Sequence, residues 1–189
     1  SKNRVAEFYL SDRADARDSR SKIMPEGHPH NIDGYDDNKP QFGRMQRLDS
    51  IKYYDKHDRY FNKANAVPLT TIYFDYDYNI SSGVPNSDAG GKLRLTKVRV
   101  RHGHEPIEFA ETYNLGYSSS NPAYSIGAKD GWGNYYPNNR PHPLCEFPYI
   151  DQFGSADNDA IASAFHLTSI GLPSGGKINI GYEADDYAY

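Results

Sequence analysis

Cysteine is almost absent from this chain: Cys145 is the only one, so neither an internal disulfide nor a cysteine-built zinc site can form. No run approaches the roughly 18 apolar residues a membrane helix requires, which argues against membrane insertion. An excess of basic charge is also missing. The 21 Lys and Arg residues face 25 Asp and Glu, a net charge of −4, and this excludes a general nucleic-acid binder, which needs a basic stripe to neutralise phosphates. Ser1-Lys2-Asn3-Arg4 leads into no signal-type hydrophobic stretch, so any export signal is expected outside this sequence. Aliphatic content is low as well, with hydrophobic residues at 37% and a mean hydropathy of −0.84. What the chain has instead is tyrosine, 17 residues of 189, with 16 Gly and 12 Pro. Disordered chains are poor in aromatics, so this composition favours strands and long pinned loops over a helical bundle.

Two regions differ along the chain. Residues 1–46 contain a short strand candidate, Arg4 to Leu10, then the alternating charges of Ser11 to Arg20, then Pro25, Gly27, Pro29, Gly34 and Pro40. No strand or helix period survives there, which predicts an extended arm lying on another surface. Residues 47–189 predict a β-rich repeat segment. Arg47-Leu48-Asp49-Ser50-Ile51 is echoed by Arg94-Leu95-Thr96-Lys97-Val98 and by His166-Leu167-Thr168-Ser169-Ile170, each followed by a second aromatic or β-branched run. The units fall near 47–79, 92–115 and 166–189, with a long irregular loop over 116–156. One short helix is expected over 157–164, and Gly175 and Gly176 mark the turn of a final hairpin. The fold class read from this is mainly β, built of antiparallel strand–turn–strand repeats.

The spacing inside the first strands is informative. Leu48 and Ile51, Leu95 and Val98, and Leu167 and Ile170 are each three apart, so a regular strand would send the members of each pair to opposite faces. One extra residue restores a common face, which predicts β-bulges near Asp49–Ser50, Thr96–Lys97 and Thr168–Ser169. A strand passing from one core to another is the alternative. The closing Glu183 to Tyr189 stretch carries no cap, and the chain reads as a segment of something larger or a subunit docked on it.

Four stretches together resemble a region of very large secreted bacterial proteins of the RHS/YD-repeat group: Arg47 to Ile51, Ile72-Tyr73-Phe74-Asp75-Tyr76-Asp77-Tyr78, Gly91 to Val98, and Asp130-Gly131-Trp132-Gly133-Asn134-Tyr135. The Leu172-Pro173-Ser174-Gly175-Gly176 turn and its following hairpin resemble the same region, beside insecticidal-toxin-like β shells. The resemblance implies a structural segment of an extracellular or cell-surface protein, whose partners are other segments or subunits of a larger assembly.

Chemistry-bearing residues are few. Asp33, Asp36 and Asp37 offer hard oxygens suited to calcium, and read equally as turn-forming side chains that bond nearby backbone. Calcium is the one cofactor considered; otherwise none is expected. Trp132, Asn134, Tyr135, Tyr136 and Tyr117 would suit a glycan- or protein-binding platform, or else plug the core. His102-Gly103-His104 has the spacing of two ligands on one strand face, with Gly103 suggesting a turn instead. Ser174 and Cys145 lack the frame of a nucleophile, and no catalytic residue is assigned.

Overall fold

The computed structural model describes residues 3–17, 44–85, 87–119, 121–125, 128, 135–137 and 155–183. Alternating side chains over most of these stretches produce a seven-stranded antiparallel sheet in which spatial order follows chain order. The strands are β1 (Arg4–Arg17), β2 (Arg44–Asp55), β3 (Thr70–Asp77), β4 (Arg94–His102), β5 (Glu111–Tyr117), β6 (Leu167–Gly171) and β7 (Lys177–Asn179). Two short helices interrupt them, α1 (Lys56–Asn62) and α2 (Ser155–Ala162). The chain is thus mainly β, as its patterning predicts.

The connections sort by length. Those joining β2 to β3, β4 to β5 and β6 to β7 leave at one end and are short, closing three hairpins. Those over 18–43, 78–93 and 118–166 are long and leave at the other end. The α1 connection starts on Asp55, whose carboxylate accepts from the His57 and Asp58 amides at 2.9 and 3.3 Å. In the last hairpin, Gly175 adopts φ +86°, which a side chain would resist, and its amide donates to the Leu172 carbonyl at 3.0 Å.

All three bulges occur, with one extra residue on the first strand of each hairpin. Register jumps from Tyr9–Ser50 to Leu10–Leu48, leaving Asp49 unpaired. It jumps from Asp75–Lys97 to Tyr76–Leu95, leaving Thr96. It jumps again from Gly116–Ser169 to Tyr117–Leu167, leaving Thr168. Two of the bulge side chains are satisfied locally: Asp49 accepts from Arg47 at 3.0 Å, and the Thr96 hydroxyl donates to the Asp75 carbonyl at 3.0 Å. Directly opposed residues share a face. The bulges therefore keep Leu48 with Ile51, Leu95 with Val98, and Leu167 with Ile170 on one side.

The stretch expected to be an arm differs from that expectation. Residues 4–17 form the edge strand of the sheet, and 44–46 belong to β2. The charges that mask a strand period pair along the strand itself, as Arg13 does with Asp15 at 2.8 Å. The rest of the expected arm, 18–43, lies outside the described residues.

Burial is sparse and sits mainly at the two ends of the sheet. At the long-loop end Asp15, Ile80, Ser81, Val84, Ala128, Tyr136 and Ala164 are buried; near the short-turn end Tyr54, Thr71 and Ala110 are. Between them runs an apolar face that is incompletely covered. Its rows are Phe8–Ile51–Ile72–Val100, Phe74–Val98–Tyr113, Leu115–Ile170–Ile178, Leu10–Leu48, Tyr76–Leu95 and Tyr117–Leu167. None of these side chains is buried, and Phe8 is 63% exposed, Leu10 57% and Ile178 48%. The opposite face is polar, with rows Lys52–Thr71–Arg101, Ser50–Tyr73–Arg99–Thr112 and Asp75–Lys97–Asn114–Gly171.

Candidate functional site

The three hairpins share a construction beyond their bulges. The basic residue that heads each repeated motif lies over a tyrosine of the second run. The Arg47 guanidinium sits 5.5 Å from the Tyr76 ring and Arg94 5.4 Å from Tyr117, while the His166 ring stacks at 4.9 Å on Tyr182. In the outer two repeats the phenol then reaches back to the leucine of the motif. Tyr76 donates to the Leu48 carbonyl at 2.8 Å and Tyr182 to the Leu167 carbonyl at 2.9 Å. Burial pushes the Tyr76 and Tyr117 phenols above their ordinary range, so both remain proton donors well into alkaline conditions. Each tyrosine follows an apolar residue and Asp or Gly: Phe74-Asp75-Tyr76, Leu115-Gly116-Tyr117 and Ile180-Gly181-Tyr182.

At the long-loop end, buried charge fastens the connections to the sheet. The Asp15 side chain is fully covered and accepts both Arg13 donors, at 3.0 and 2.8 Å, and the Leu93 amide at 2.9 Å. Burial raises its carboxyl, but these hydrogen bonds outweigh that and hold it below the usual carboxylate range. Asp77 is balanced the same way: burial raises it, and the Arg94 pair and the Asn79 amide lower it. Arg94 in turn forks onto both Asp77 oxygens.

Beside Arg94 lies a cleft of about 390 Å³, lined by residues that include Ser81, Ser82, Gly91, Ser118, Ser119 and Asn121. Gly91 is required there, since a Cβ would stand 1.7 Å from the Tyr78 carbonyl oxygen. The lining is hydroxyl, amide and backbone, and its one cation is already held by Asp77. Such a wall suits water or a small neutral polar group; it offers no paired acid and base.

The residues expected to bind a ligand do not come together on a shared platform among the described residues. Tyr117 lies under Arg94. Tyr135 packs edge-on against Phe165 at 5.3 Å, and Tyr136 is buried with its amide donating to Ala128 at 3.2 Å. Trp132, Asn134, Asp33, Asp36 and Asp37 lie outside the described residues. His102 and His104 are split by Gly103 at φ +52°, and no metal-holding group of His, Cys, Asp or Glu occurs among the described residues. No helix among them is long and apolar enough to cross a membrane. The tyrosine partners of Arg47 and His166 were not marked as site residues by the sequence pattern; the signal was the apolar–Asp/Gly–Tyr triplet, repeated once per unit.

Compared with known proteins, the chain finds no matching family model, no matching curated protein and no matching solved structure.

Proposed function

We propose that the chain is a non-enzymatic structural segment of a large exported bacterial surface or shell protein, whose apolar sheet face is covered in assembly by a second β layer from a neighbouring segment of that protein. The observation that carries this reading is an apolar face to which all seven strands contribute, with no side chain of its rows buried and with Phe8, Leu10 and Ile178 at its two edges widely exposed. Sheets pack face to face about 10 Å apart, and two twisted apolar faces interdigitate to make a core that neither has alone. Contiguous exposed apolar surface on this scale marks an interaction site. The three bulged hairpins support the same reading, because a repeated unit that cannot bury its own face reaches stability by stacking with neighbours. The RHS/YD-repeat resemblance agrees with it.

The test is to purify the chain by itself and follow association by sedimentation and exposed apolar surface by dye fluorescence. The chain is expected to bind the dye and to self-associate as concentration rises. Ile170→Lys, on the apolar face, is expected to abolish association, and Lys177→Gln, on the polar face, to leave it unchanged. A monomer that binds no dye, or two variants that associate alike, overturns the proposal.

A further inference from the structure

The polar face of β3 and β4 carries a feature that a scaffold role leaves unused. Lys97, Arg99 and Arg101 alternate along β4, so all three project from one face about 7 Å apart. Like charges at this spacing repel one another unless something neutralises them. Across the strand, one carboxylate answers them: Asp75 accepts from Arg99 at 2.6 Å. On β5 the residues opposite Lys97 and Arg99 are the neutral Asn114 and Thr112. Among the described residues Arg101 has no acidic partner.

The two guanidinium groups are also fixed in place. Both lie over the Tyr73 ring, Arg99 at 5.5 Å and Arg101 at 5.7 Å from its centre. A second observation points to unused bonding capacity at this spot. Among the described residues, Thr71, opposite Arg101 and 1% exposed, has a hydroxyl with no hydrogen-bond partner, and the Nε groups of Arg99 and Arg101 are buried without one. Buried polar groups left unpaired are costly, and a cluster of them calls for an explanation.

We propose that this face binds a tetrahedral oxyanion, a sulfate or phosphate group, seated between Arg101 and Arg99 with Lys97 at its side. The planar fork of a guanidinium pairs two N–H groups with two oxygens of such an anion; Arg101 offers its fork, Arg99 the donors that its bond to Asp75 leaves over, and Lys97 an ammonium, and the three cations less Asp75 match a dianion in charge. The anion supplies the negative charge that β5 does not. This proposal is independent of the apolar face, and its success or failure does not bear on that one.

The experiment is an NMR titration of the purified chain, reading the Arg99 and Arg101 Nε–Hε signals. The probes are sodium sulfate, sodium phosphate and a sulfated polysaccharide, each set against sodium chloride at equal ionic strength. Saturable shifts with the inorganic anions, absent with chloride, are expected. Saturation by the polysaccharide alone also supports the site and assigns its natural source as an ester on a polymer. Arg101→Gln is expected to weaken binding roughly tenfold or more, the worth of one charge-assisted hydrogen bond. Lys97→Gln, at an exposed position, gives the same direction of change should Arg101→Gln fail to fold. Shifts no larger than those from chloride with every probe, or a folded variant that binds as tightly as the parent, overturn the proposal.

Discussion

Replacing Asp15 with Asn probes the clamp that holds the long connections to the edge of the sheet. The substitution keeps the side chain's shape and one oxygen for the Leu93 amide, and removes the charge that accepts both Arg13 donors. Breaking a fully buried pair by neutralising one partner costs about 3–5 kcal/mol. Here the Arg13 side chain stays 20% exposed and can rehydrate in part. The expected loss is therefore smaller, about 2–3 kcal/mol, close to the value of one charge-assisted hydrogen bond. For a chain of this size that lowers the melting temperature by roughly 5–10 °C. Because the Asp15 carboxyl lies below its unfolded value in the folded state, its contribution is present above the unfolded pKa of about 3.9 and is lost as pH falls through the folded value. Thermal melts followed by circular dichroism at neutral pH should show the full deficit, and melts at progressively acidic pH should show parent and variant converging. Hydrogen exchange at the Leu93 amide should quicken in the variant at neutral pH. A variant that melts with the parent at pH 7, or keeps its whole deficit in acid, refutes the reasoning.

Three further changes test the strands and their connections. Deleting Thr96 removes the extra residue and leaves Leu95 and Val98 two apart, so a regular ladder keeps Leu95 opposite Tyr76 and Arg94 opposite Asp77; the deletion should be tolerated, with the 78–93 connection no more sensitive to limited proteolysis than in the parent. Thr96→Ala keeps the extra residue and loses only the hydrogen bond to the Asp75 carbonyl, so its melting point should fall modestly, reflecting about 1 kcal/mol. Gly91→Ala drives a Cβ into the Tyr78 and Ser81 carbonyls and should break the Ser82–Gly91 bridge, read as a lowered melt and loss of amide protection at Gly91.

The bulges were legible because a three-residue step between aliphatic side chains has few explanations in a strand. The hairpins were legible because each repeats that step. Of the edge strand, Arg4 to Leu10 was legible and its continuation was not, since Asp12, Arg13, Asp15 and Arg17 break the apolar alternation and imitate a loop. Helix α1 was hidden for a different reason: it buries no residue, so it leaves no apolar period, and only Asp55 at its start announces it. The tyrosine over each basic residue escaped notice because turns of unequal length separate Arg47 from Tyr76, Arg94 from Tyr117, and His166 from Tyr182. The alternation of Lys97, Arg99 and Arg101 is plain in the sequence, yet only the register shows that β5 meets Lys97 and Arg99 with neutral side chains.

The strict chain order of the strands has a consequence for how the molecule comes apart and grows. Among the described residues each strand of the sheet pairs only with its neighbours in sequence, so the β6–β7 hairpin can detach without breaking a ladder bond among β1 to β4. Cooperativity in such an arrangement passes from one hairpin to the next, as in a zipper, instead of radiating from a central core. A gene that duplicated or dropped one hairpin would lengthen or shorten the sheet by one tooth and leave the others meshed.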